Sequence, residues 1–113
     1  MSGVTTHVLD TARGRPAVGV PVALETRVGS EWTPLANGAT NADGRAANLV
    51  TPAVKFERGV YRLRFDVAAY FRAQGVEAFY PEVCVTFEVR DPGEHYHVPL
   101  LLSPYGYTTY RGS

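Results

Sequence analysis

Apolar and polar residues alternate in this chain with a period of two, and they do so in several separate runs. Val83, Val85, Phe87 and Val89 are interleaved with Cys84, Thr86, Glu88 and Arg90. Tyr61, Leu63 and Phe65 alternate with Arg62, Arg64 and Asp66, and Val18, Val20, Val22 and Leu24 with Gly19, Pro21, Ala23 and Glu25. Successive side chains of a strand point to opposite faces, so each run describes a strand with one buried face. Turn-forming groups separate the runs: Arg13-Gly14-Arg15-Pro16, Asn41-Ala42-Asp43-Gly44, Glu57-Arg58-Gly59 and Asp91-Pro92-Gly93. Short strands punctuated this often specify an all-β sandwich.

Two places depart from that pattern. Val67-Ala68-Ala69-Tyr70-Phe71-Arg72-Ala73-Gln74-Gly75 is rich in helix formers and closes on glycine, which predicts one short helix around residues 67–75. Asp66 is placed to cap its N-terminus. Pro99 falls inside a strand-like run and has no N–H to give to a ladder. That position is predicted either to bulge or to pair on one side only.

The chain has 113 residues, which suits a single domain, 1–113, and its 45% hydrophobic content is that of a globular protein. Eleven basic residues balance eleven acidic ones and neither sign forms a block. A nucleic acid or an anionic membrane surface needs a concentrated basic face, so neither is an expected partner. Cys84 is the only cysteine, which fits a reducing compartment. The first residues show no secretory leader, and no apolar run is long enough to cross a bilayer. A cytoplasmic location is expected.

Chemistry points to the histidines, of which there are three. His95 and His97 lie one residue apart, on one face of a strand and about 7 Å from each other. Pro99, Leu101 and Ser103 share that face, whereas Tyr96, Val98, Leu100 and Leu102 make the better core. His97 is therefore predicted to point away from the sandwich interior. His7 lies in a first strand, Val4-Thr5-Thr6-His7-Val8-Leu9-Asp10, and Arg45 opens a strand after the Asp43-Gly44 turn, near a sheet end where binding residues gather. Taken singly, each of the three also suits a solvated strand position. The last four residues, Tyr110-Arg111-Gly112-Ser113, bring a phenol, a guanidinium, a flexible glycine and a hydroxyl together where order is usually lost. Three histidines also match the ligand number of a catalytic zinc. No independent ligand cluster accompanies them, and an arginine beside a dication is unfavourable, so no metal and no cofactor is expected. There is no Gly-x-Ser-x-Gly elbow and no phosphate-binding glycine loop.

Three segments together, Thr6-His7-Val8-Leu9-Asp10-Thr11-Ala12-Arg13-Gly14, Thr40-Asn41-Ala42-Asp43-Gly44-Arg45, and His95-Tyr96-His97-Val98-Pro99-Leu100-Leu101-Leu102-Ser103-Pro104-Tyr105-Gly106-Tyr107 running on to Ser113, resemble the 5-hydroxyisourate hydrolase family, the enzymatic branch of the transthyretin fold. The resemblance covers essentially the whole chain. Transthyretin, the hormone carrier, keeps the Leu-Leu-Ser-Pro-Tyr region but lacks the Tyr-Arg-Gly-Ser ending and the histidine matching His7. Thr108, where many members have serine, and Ala46-Ala47 depart from the pattern at no proposed functional position.

The resemblance implies a transthyretin-like (prealbumin-like) sandwich of about eight strands, assembled as a homotetramer, a dimer of dimers with sites at the dimer–dimer interface. It implies hydrolysis of 5-hydroxyisourate in urate catabolism, with His7, Arg45, His97 and Ser113 as catalytic residues. Tyr110, Arg111 and Gly112 join them in holding the substrate. A transthyretin-like small-molecule carrier without turnover is the alternative.

Overall fold

The structure is a computed structural model and describes residues 3–113. The elements run β1 (Gly3–Asp10), β2 (Arg15–Pro16), β3 (Pro21–Val28), β4 (Glu31–Ala39), β5 (Arg45–Ala46), β6 (Gly59–Phe65), α1 (Val67–Arg72), β7 (Val83–Val89), β8 (His95–Ser103) and β9 (Gly106–Thr109). One sheet has the order β2-β1-β8-β9, with β5 also pairing β1, and the other has the order β4-β3-β6-β7. All pairings are antiparallel except β1 with β8, which is parallel over the whole of β1. The chain is thus the sandwich of strands with one short helix that the alternation predicts, with two of its strands only two residues long.

The faces that meet between the sheets carry the core: Val4 and Val8 from β1, Leu24 from β3, Tyr61, Leu63 and Phe65 from β6, Val83 and Val89 from β7, and Tyr96, Val98, Leu100 and Leu102 from β8. Each such side chain, fully buried, contributes about 1.5–3 kcal/mol of hydrophobic stabilisation. The buried tyrosines keep their hydroxyls satisfied. Tyr96 donates to the Asp91 carbonyl (2.9 Å) and accepts from the Asp91 N–H (3.1 Å), which pins the corner leading into β8. That anchor fixes the rotation of β8, and so which of its residues face outward.

Several local expectations are refined. The run beginning at Val18 becomes a strand only at Pro21: Gly19 turns the chain at φ +79°, and Val18 is left exposed. Strand β4 has no alternation in its sequence because it lies at a sheet edge and buries neither face fully. The helix is six residues, shorter than the predicted 67–75. Asp66 does cap it, accepting from the Ala69 N–H at 3.0 Å. Residues 73–75 form the exit, with Gly75 at φ +68° and the bonds Val76 N–H to Phe71 C=O and Gly75 N–H to Arg72 C=O that define a Schellman close.

Pro99 resolves as pairing on one side. It faces His7 of β1 in register. On its other side the β8–β9 ladder stops at Leu100↔Thr109, and pairing resumes at His97↔Gly112, three residues further along each strand and in the same register. The proline interrupts an otherwise continuous strand, so residues 110–113 follow on from β9 along the β8 edge.

Candidate active site

The site is built from β1 outward. Its even-numbered residues Val4, Thr6, Val8 and Asp10 are buried, which leaves Thr5 and His7 on the outer face of the sheet. Parallel pairing puts Thr5 beside His97 and His7 beside Pro99. On the other flank of β1, His7 faces Arg45. Arg45 is brought there by its turn. The Val8 N–H donates to the Gly44 carbonyl (2.7 Å), clipping the loop to β1. Gly44 sits at φ +75°, and a Cβ there would lie 2.5 Å from the Val8 carbonyl oxygen and 2.9 Å from Pro16, so only glycine allows the loop this close. Asn41 Oδ1 accepts from the Asp43 and Arg45 N–H groups and holds the turn in shape.

His7, Arg45 and His97, read from separate segments of the sequence, therefore share one outward face, with His97 half-buried as the alternation of β8 predicts. The Gly112 N–H donates to the His97 carbonyl at 2.8 Å, and a Cβ on Gly112 would lie 2.5 Å from His97 Cδ2. The tail backbone is packed directly against the imidazole. Among the described residues the His7 ring and the Arg45 guanidinium make no hydrogen bond, which leaves both able to engage a ligand.

Tyr110 and Arg111 are arranged differently. Alternation along the tail sends the Arg111 side chain to the face opposite Gly112. There its guanidinium bonds Glu94 (3.2 Å) and lies 4.6 Å from the Tyr96 ring centroid. Tyr110 is exposed, and both residues border a hollow of about 250 Å³ lined also by Val85, Phe87 and Tyr96. Ser113 follows Gly112, whose backbone bridges His97.

The electrostatics of the face favour a neutral imidazole. Burial, most of all, holds His97 below the ordinary histidine value, and the positive charges of Arg45, His7 and His95 push the same way; a hydrogen bond with the Thr5 backbone opposes them. A neutral imidazole close to a fixed cation can accept a proton from water while the cation stabilises developing negative charge. No group of three His, Cys, Asp or Glu side chains is arranged to hold a metal ion among the described residues.

Thr5 is the residue that reasoning from the sequence missed. Its hydroxyl lies 2.8 Å from His97 Nδ1 and 2.9 Å from His95 Nε2. The only sequence signal is that Thr5 shares the outward parity of His7, two positions on.

A family model for the HIUase/Transthyretin family matches residues 4–112. The chain belongs to that family. The 5-hydroxyisourate hydrolase of Mus musculus is 46% identical over 99% of this chain and 96% of its own length. The structure of Klebsiella pneumoniae 5-hydroxyisourate hydrolase superposes with a TM-score of 0.86 at 37% identity, over the whole of both chains. Transthyretin from Sparus aurata superposes with a TM-score of 0.91 at 36% identity, over 99% of this chain and 97% of that one. Fold similarity alone thus does not separate the enzymatic branch of the family from the carrier branch. The side chains on the outer face bear on that choice.

Proposed function

We propose that this protein hydrolyses 5-hydroxyisourate to 2-oxo-4-hydroxy-4-carboxy-5-ureidoimidazoline, a step of urate catabolism. The observation that carries the reading is the convergence of His7, Arg45 and His97 on one face, with the Gly112 backbone packed against His97. The full-length similarity to proteins named for this activity supports it. His97 acts as the base that takes a proton from the attacking water. Arg45 binds the planar, electron-rich ring and stabilises the oxyanion at the attacked carbonyl. His7, next to Arg45, assists proton delivery to the departing ring nitrogen. Gly112 lets the tail lie close, and the Ser113 hydroxyl holds water or substrate. Arg111 contributes by fixing the tail through its contacts with Glu94 and Tyr96, and the exposed Tyr110 helps hold the substrate.

The chain acts as one domain, 1–113, and the working form is a homotetramer whose dimer–dimer interface covers the half-exposed histidine face and encloses the substrate. Its location is the cytoplasm; no helix among the described residues is long and apolar enough to cross a membrane. Generating 5-hydroxyisourate in place with urate oxidase and following its ultraviolet decay tests the activity. Accelerated decay, lost in His97→Ala, is the expected result, and decay at the spontaneous rate refutes the reading. Light scattering on the eluting peak tests the assembly: a mass four times that of one chain is expected, and a monomer that turns over substrate refutes the tetramer.

A further inference from the structure

The Thr5 hydroxyl joins two imidazoles, and a hydroxyl has one proton to donate. It bonds His95 Nε2 at 2.9 Å and His97 Nδ1 at 2.8 Å, and its one proton and two lone pairs let it donate to one ring while accepting from the other. His97 is half-buried under the tail, whereas His95 is exposed. The chain of bonds therefore runs from the half-buried His97 to the exposed His95 at the start of β8. Which nitrogen of a histidine carries the proton is set by the bond its other nitrogen makes.

We propose that Thr5 and His95 form a proton wire that switches His97 between base and acid during the hydrolysis proposed above, on which the inference rests. In one orientation His97 Nδ1–H donates to Thr5, Thr5 donates to His95 Nε2, and His97 Nε2 offers a lone pair to the attacking water. As Nε2 takes the water proton, Nδ1–H passes to Thr5 and the Thr5 proton passes to His95 Nε2. His95, now cationic, releases its Nδ1 proton to solvent. His95 then donates to Thr5, Thr5 donates to His97 Nδ1, and His97 carries its proton on Nε2. That is the acid the second half of the reaction needs. The Nε2 proton goes to the departing nitrogen as the C–N bond breaks. Thr5 then refills Nδ1, His95 refills Thr5, and a solvent proton enters at His95 Nδ1. The starting tautomers are restored. The carboxylic acid formed ionises, and because a ureido nitrogen is not basic, each turnover releases one net proton.

The surroundings suit this task. Other charges facing His97 are Arg45 on β5 and His7 on β1, both unfavourable to an imidazolium resting there. Near His95 the Glu94–Arg111 pair is internally neutralised, with Arg111 also 3.5 Å from the His95 carbonyl. His95 lies over Gly3, where a Cβ would be 3.8 Å from His95 Nδ1.

Thr5 is a positioning residue, and its test needs readouts that packing alone does not move. Thr5→Val keeps the shape and removes the hydroxyl; Thr5→Ser keeps the hydroxyl. In Thr5→Val, kcat is expected to fall at least about tenfold, a part of what acid–base catalysis contributes, with KM near the parent value. Thr5→Ser should recover most of it, and the curved proton inventory of the parent in H₂O/D₂O mixtures should become linear in Thr5→Val. Nitrogen-15 spectra of the histidine side chains supply a readout without substrate. Replacing His95 with alanine should move the His97 tautomer signals in the parent and in Thr5→Ser, but not in Thr5→Val. A His97 tautomer indifferent to His95 in the parent overturns the wire, as does a Thr5→Val kcat within about twofold of the parent. Failure of the parent to accelerate 5-hydroxyisourate decay would remove the hydrolase reading, and the spectra would still decide whether the wire exists.

Discussion

Replacing Gly112 by alanine tests whether the tail is part of the site or only lies near it. The added Cβ would sit 2.5 Å from His97 Cδ2, 3.3 Å from His97 Cγ and 3.2 Å from Pro99 Cγ. Non-bonded carbons settle at about 3.5–4.0 Å, so roughly 1 Å must be found between tail and imidazole. Pro99 is buried and rigid, which leaves two ways to find it. Either the ring rotates away from Thr5, or the tail lifts and gives up the Gly112 N–H to His97 C=O bond (2.8 Å). The stability cost is modest: one edge hydrogen bond is worth about 1 kcal/mol, or a Tm lower by about 4 °C for a domain of this size. The catalytic cost is large, because a misplacement of about 1 Å reduces rate on the order of 100-fold. Ultraviolet assay of 5-hydroxyisourate decay, with calorimetry on the same samples, separates the two. A Gly112→Ala protein with parental kcat/KM refutes the argument, and one that fails to fold shows the tail to be structural instead.

Further outcomes follow from the same geometry. His97 is held below the ordinary histidine value of about 6.5, so its basic form survives into mildly acidic solution, and the acid limb of kcat/KM should lie below that pH. Arg45→Met should move the limb upward while lowering the rate; a limb at or above the ordinary value in the parent contradicts the burial argument. The same depression makes stability fall as pH drops below the unfolded value of about 6.5 and level off beneath the folded one, which urea titrations at several pH values can follow. Tyr70 donates to Asp10 Oδ2 at 2.7 Å deep beneath β1, and Asp10 is almost fully buried. Tyr70→Phe orphans that carboxylate oxygen at a cost of about 2 kcal/mol, and a Tm unchanged from the parent refutes the claim.

How far the sequence could be read depended on the range of the interaction involved. The outward direction of His97 was legible because it follows from the alternation within one strand, Tyr96 and Val98 being apolar and large. The placement of Arg45 at a strand start was legible from Asp43-Gly44, a purely local turn. The role of Thr5 was not, since it exists only when β1 pairs with β8 in one register, and nothing in either segment states that register. The tail shows both cases. Its chemical weight was legible, but Tyr110-Arg111-Gly112-Ser113 was taken as one cluster, although a period of two already separates Arg111 from Gly112. Strand β4 escaped because an edge strand with no fully buried face needs no alternation.

The parallel pairing of β1 with β8 has a bearing on how the molecule reaches its working state. Thr5 and His97 are ninety-two positions apart, and they meet only in the ladder at the centre of their sheet. Closing so long a loop is entropically costly and comes late relative to hairpins such as β3–β4 and β8–β9. Because the histidine strands are joined by that long-range ladder, enzymatic activity in refolding experiments is expected to return with the slowest step. Optical probes of the hairpins will report structure before any turnover is seen.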